Sequence, residues 1–172
     1  MLRARTKAKS FRITEKCLEA LQEEAQRQSI SVNTLVNQIL TGYTEFGRFM
    51  RRSNGMTLTR QTLAQIINAA SVDGLVAAAK LTGKSAPPSL IIPRNGTVTV
   101  DSVLQLIQNL STYANLFQYD ATDEPNHKTI TLVHEMGGKW SNFLANYFGE
   151  AFSLAGTQAS CTFTDRSVTF TL

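Results

Sequence analysis

Residues 9–40 read KSFRITEKCLEALQEEAQRQSISVNTLVNQIL, and the fold of the first third of the chain turns on this stretch. Ser10-Phe11-Arg12-Ile13 alternates polar and apolar residues, and successive side chains on a strand point to opposite faces. A short strand there carries Phe11 and Ile13 on one face, with Ser10, Arg12 and the preceding Ala8 on the other. Thr14 is placed to cap a helix with Glu15 in its first turn. A side-chain oxygen there satisfies a first-turn N–H, and a carboxylate suits the positive end of the helix dipole. Cys17, Leu18, Leu21 and Ala25 recur at helical spacing, against Glu19, Glu23, Glu24 and Arg27 on the other side. Ser31 is a second cap, after which Val32, Leu35, Val36, Ile39, Leu40 and Tyr43 keep the 3.6-residue period.

The reading is therefore strand, helix, tight turn, helix. Some 40 residues are too few to bury a sufficient core alone. The strand also has no neighbour, and an unpaired edge is a template for another chain. A second copy would pair the strand and cover the apolar helix faces together.

On these grounds residues 8–46 resemble the ribbon-helix-helix family of DNA-binding proteins. The matching segments are SFRI, TEKCLEAL at the start of the first helix and SISVNTLV at the start of the second. The resemblance implies a dimer whose two strands form an antiparallel ribbon that enters the major groove. It implies base contacts from Ala8, Ser10 and Arg12. It places Phe11, Ile13, Leu18, Leu21, Leu35, Val36 and Ile39 in the dimer core. It makes Ser31, Val32 and Asn33 a phosphate clamp, built on backbone N–H groups at a helix start. Two positions depart from the family pattern: Gln28-Ser29 stands where a glycine is common, and Lys9 where an apolar strand residue is common.

Charge supports a polyanionic partner. The net charge is +4. Residues 1–55 hold ten basic and five acidic residues, against seven and eight in the remainder. Arg3, Arg5, Lys7 and Lys9 precede the first acid and are expected to contact phosphates. The expected organisation is a DNA-binding and dimerisation module at 1–46, a basic linker at 47–55 and an α+β domain at 56–172. The linker's Arg48, Arg51 and Arg52 could add phosphate contacts or stay solvated.

The second domain starts with helical patterns from Leu58. Pro87, Pro88 and Pro93 then predict a loop over residues 84–96, with room for a short strand at 90–92. A helix follows in VDSVLQLIQNLSTYA, capped at Asp101 or Ser102. NLFQYDA and HKTITLVHE alternate as strands, GGKWSNFLANYFGEAFSLAG is helical, and QASCTFTD and SVTFTL alternate again. Helix, strand, strand, helix, strand, strand predicts helices on one face of an antiparallel sheet.

No chemistry is visible in this domain. HEMGG lacks the second histidine of the HExxH zinc motif. His127 and His134 stand seven apart on one strand and so face opposite sides. Gly137-Gly138 at a strand-to-helix turn could receive an anion or be a plain turn. Trp140, Phe143, Tyr147, Phe148 and Phe152 read as core before they read as a ligand pocket. The expectation is a protein that is not an enzyme and uses neither cofactor nor metal. Two cysteines cannot build a disulfide framework, so a cytoplasmic setting is expected. No apolar run reaches the roughly 20 residues of a membrane span. The function that follows is a transcriptional regulator, a repressor first, that binds double-stranded DNA as a homodimer or higher oligomer. The second domain would oligomerise or sense a small-molecule effector. The alternatives are a plasmid-partition or DNA-organising protein, and an antitoxin.

Overall fold

Thr14 and Ser31 start the first two helices. The Thr14 hydroxyl accepts the Cys17 N–H at 3.3 Å, and Ser31 accepts the Thr34 N–H at 3.0 Å. The helices are α1, Glu15–Arg27, and α2, Val32–Gly42. The structure, a computed structural model, describes residues 7–125 and 127–172. Arg3 and Arg5 lie outside the described residues. The chain separates into two units, Met1–Thr44 and Glu45–Leu172.

In the first unit the α1–α2 turn is closed by two backbone hydrogen bonds. Ile30 N–H reaches Ala25 O and Ser29 N–H reaches Gln26 O, both at 3.0 Å. This pairing requires a left-handed residue after the helix cap, and Ser29 supplies it with φ +55°. The turn closes without the glycine common in the family. The expected strand at Ser10–Ile13 is absent from the single chain, where residues 7–14 form neither strand nor helix. The physical reason is pairing. A strand's N–H and C=O groups need a neighbour, and the sheet among the described residues lies wholly in the second unit.

The second unit begins inside a π-helical turn, Tyr43–Gly47, followed by α3, Arg48–Arg52. Residues 47–55, expected as a linker, thus contain a helix, and Phe49 in it is buried. Then come α4, Arg60–Ala69, and α5, Val72–Asn95, which meet at a 119° bend. The loop expected across Pro87, Pro88 and Pro93 does not form; α5 runs through all three. Leu75, Ala79, Gly83, Pro87 and Ile91, spaced by four, form its buried stripe. That stripe packs on α7, Gly138–Leu154. Tertiary packing outweighs the cost of the prolines, about 3 kcal/mol each in an isolated helix. Serine hydroxyls flanking the Pro87-Pro88 pair donate to helix carbonyls, Ser85 to Leu81 O at 3.3 Å and Ser89 to Ala86 O at 2.7 Å.

Helix α6, Val100–Ala114, is capped by Thr99 rather than by the expected Asp101 or Ser102. Ser102 completes the cap from inside the helix, its Oγ accepting the Thr99 N–H at 2.8 Å. The strands are β1, Gln118–Glu124, β2, His127–Val133, β3, Ser160–Phe163, and β4, Ser167–Thr171. They pair antiparallel in the order β1-β2-β4-β3. Ile130 stands opposite Phe170 and Leu132 opposite Val168, all fully buried. Phe148 and Phe152 of α7 meet Phe170 at ring distances of 6.3 and 5.4 Å. The other face carries Thr129, Thr131, Thr169 and Thr171, half-buried, with the Thr131 and Thr169 hydroxyls 3.2 Å apart. The architecture is α+β, with helices on one face of an antiparallel sheet. Among the described residues no single helix is long and apolar enough to cross a membrane.

Candidate nucleic-acid interface

The expected base-contact residues Ala8, Ser10 and Arg12 are exposed, as are Lys7 and Lys9. They lie in one short stretch ahead of α1. Ser31 and Asn33 are exposed and Val32 half-buried at the start of α2. The first N–H groups of a helix have no partner within it. Ser31 accepts the Thr34 N–H, leaving those of Val32 and Asn33 for an outside acceptor, as an anion site requires. Arg27, by contrast, is committed within α1: its guanidinium holds Glu24 at 2.6 Å, and that hydrogen bond lowers the Glu24 carboxyl below its ordinary range.

The expected dimer core divides in two. Leu35 is buried within the single chain, and Leu21 and Val36 are half-buried. Phe11, Ile13, Leu18 and Ile39 are exposed, at 67, 50, 39 and 51%. Leu40 and Tyr43 extend this apolar exposure, at 45 and 50%. In the helices of this unit only Ala25 and Leu35 are buried. Together with Phe11 and Ile13 ahead of α1, the two short helices leave an apolar surface uncovered in the single chain.

A buried histidine–serine pair lies among the described residues of the second unit. His134 and Ser141 are buried, with Ser141 Oγ 3.0 Å from His134 Nε2. His134 Nδ1 accepts the Met136 N–H at 3.2 Å, so the ring proton sits on Nε2 and is donated to the serine. A histidine in that tautomer cannot take the serine's proton, and the pair is a structural clip. His127 lies instead beside Glu124, 3.4 Å away on the surface. No group of three metal-ligating side chains occurs among the described residues. At the Gly137-Gly138 turn the protein's own carboxylate lies beside Gly138, where an added Cβ would fall 2.5 Å from Asp165 Oδ1. The aromatic residues of α7 stack as core, with Trp140 on Phe143 at 5.2 Å and Phe143 on Tyr147 at 5.8 Å.

No protein-family model matches this chain. No curated protein matches it significantly in sequence.

Sequence reasoning missed a trough in the second unit. It is lined by Phe46, Met50, Met56, Leu58, Leu63 and Tyr113, together with Arg51. Its signal was the apolar Met50, Met56 and Leu58 within and just after a stretch otherwise taken as a polar connector.

Proposed function

We propose that the chain is a dimeric, sequence-specific DNA-binding regulator of ribbon-helix-helix type, acting as a repressor by occupying its operator. The observation that carries this reading is the exposure of Phe11, Ile13, Leu18 and Ile39 beside a stretch with no strand partner. A second copy resolves both deficits. Two Ser10–Ile13 segments pair as an antiparallel ribbon, and the apolar residues close into one core. Ser10 and Arg12 then face the major groove, where a guanidinium bonds guanine O6 and N7 bidentately. Lys7 and Lys9 meet phosphates, as do the free N–H groups at the start of α2. The antitoxin alternative is disfavoured, because it expects a C-terminal part that orders only on its target. The second unit has a filled core of its own, including Phe148, Phe152 and Phe170 at 0% exposure.

The test has two arms. Light scattering at micromolar concentration should give a dimer or a multiple of it, and selection from a random duplex pool should enrich one palindromic sequence. Phe11→Glu should abolish that DNA binding while Trp140 fluorescence still reports a folded second unit. A monomer that enriches no sequence would falsify the assignment.

A further inference from the structure

The second unit contains an apolar trough whose charged groups are all cationic. One cavity of about 540 Å3 is lined by Phe46, Met50, Met56, Leu63, Tyr113 and their neighbours. A second, of about 370 Å3, shares Leu58, Leu63, Ala114 and Leu116 with it and continues to Arg60 and Met136. Both volumes fall within the roughly 300–1,000 Å3 of small-molecule sites, which are largely apolar with a few placed polar groups. Arg51 lines one cavity and Arg60 the other, and no acidic side chain lines either.

The wall of the trough is built in advance. Helix α3 ends with Gly55 N–H on Met50 O at 2.8 Å and Asn54 N–H on Arg51 O at 3.3 Å, Asn54 being left-handed at φ +54°. A Cβ on Gly55 would collide with the Met50 side chain and carbonyl, so the segment seats directly on the helix end. Phe46 stacks on Tyr113 at 5.8 Å across the floor. Met56 stays 76% exposed and Leu58 43% at the rim. Methionine is unbranched and polarisable, which suits a surface that adapts to an aliphatic or aromatic ligand.

We infer that this trough binds a small amphipathic carboxylate, with its apolar body against Met50, Leu63 and Tyr113 and its anionic head at Arg51 or Arg60. Charge complementarity selects an anion over a cation or a neutral lipid, since an arginine is the natural bidentate partner of a carboxylate. The inference concerns the second unit alone and stands or falls separately from the DNA-binding reading.

The test is calorimetric titration of the full chain with decanoate at pH 7.5, beside decyltrimethylammonium and phosphatidylglycerol vesicles. Decanoate should bind with a Kd below about 1 mM, and the cation should not bind. Replacing both arginines, R51Q with R60Q, should weaken decanoate by about tenfold or more. Met56 is exposed enough for either charge to be introduced without disturbing the fold. Met56→Glu should weaken decanoate about two- to fivefold and Met56→Lys strengthen it by a similar factor. Equal binding of anion and cation overturns the inference, as does indifference to both Met56 variants. Binding to vesicles without binding to free decanoate also overturns it, because the site would then read a membrane surface. So does absence of decanoate binding with a drop in oligomer mass for Met56→Glu, which would make the trough a contact between copies.

Discussion

Ser141 Oγ and His134 Nε2 lie 3.0 Å apart, both in side chains removed from water, and the hydrogen bond ties the end of β2 to the first turn of α7. His134 N–H also bonds Arg166 O at 2.8 Å, which fastens the β3–β4 turn to the same point. Burial lowers the His134 pKa, because an imidazolium there loses its hydration. The folded state thus binds a proton less readily than the unfolded chain. This contribution to stability is complete above the unfolded value of about 6.5 and is lost as pH falls through it toward the folded pKa. Urea unfolding followed by Trp140 fluorescence should give lower stability at pH 5 than at pH 7.5, and His134→Gln should flatten that difference. Ser141→Ala should cost about 1–3 kcal/mol by leaving a buried N–H unpaired. An unchanged pH dependence in His134→Gln would place the titrating group elsewhere.

Gly83 sits where α5 packs closely on α7. An added Cβ would lie 2.5 Å from Tyr147 O and 3.0 Å from Glu150 Cβ. Alanine is the better helix former by about 1 kcal/mol, yet the two backbones would have to separate. Overpacking of this kind costs about 1–3 kcal/mol. Gly83→Ala should therefore destabilise the second unit to urea. A gain in stability would mean that the helices move apart at no cost.

Ser29 holds φ +55° in the α1–α2 turn, a conformation that costs a non-glycine L-residue about 1–2 kcal/mol. Ser29→Gly should raise the stability of the first unit by up to about 1 kcal/mol, the added chain entropy of glycine taking back part of the gain. Far-ultraviolet circular dichroism during thermal unfolding, at fixed protein concentration, should show the shift. A lower midpoint would mean that the serine side chain stabilises this turn.

Arg12 and Lys7 should separate sequence reading from attraction to phosphates. Arg12→Ala should cost about 1–3 kcal/mol per contacted base pair and relax preference there, roughly doubled on a palindrome. Lys7→Ala should weaken all duplexes alike and reduce the salt slope by about one per lost phosphate contact. Titrations of the selected duplex and a scrambled one across a salt series distinguish the two. Equal losses on both duplexes for Arg12→Ala would make it a phosphate contact.

The caps and apolar periods are local properties, and the sequence alone determined what depends on them. Thr14 and Ser31 begin their helices where a side-chain oxygen meets a first-turn N–H. The alternation in HKTITLVHE and SVTFTL becomes β2 and β4, whose buried residues keep period two; NLFQYDA and QASCTFTD also foretell strands, but β1 runs Gln118–Glu124, three residues beyond the expected segment, and β3 is exposed throughout. The α+β class and its helix–strand order follow from the same local patterns. Three outcomes needed the tertiary structure. Pro87, Pro88 and Pro93 argue locally for a loop, but the buried stripe at four-residue spacing through Gly83 and Pro87 packs on α7, and that contact outweighs the lost hydrogen bonds. The strand order β1-β2-β4-β3 places β4 against β2, and a sequence cannot signal pairing between segments so far apart. Phe49, read as part of a linker, is buried because α3 meets α5, a contact with no local signature. In the first unit the division falls differently. The single chain leaves Phe11 and Ile13 exposed and residues 7–14 without strand pairing, so neither the alternation in SFRI nor the packing of one copy gives this stretch a neighbour.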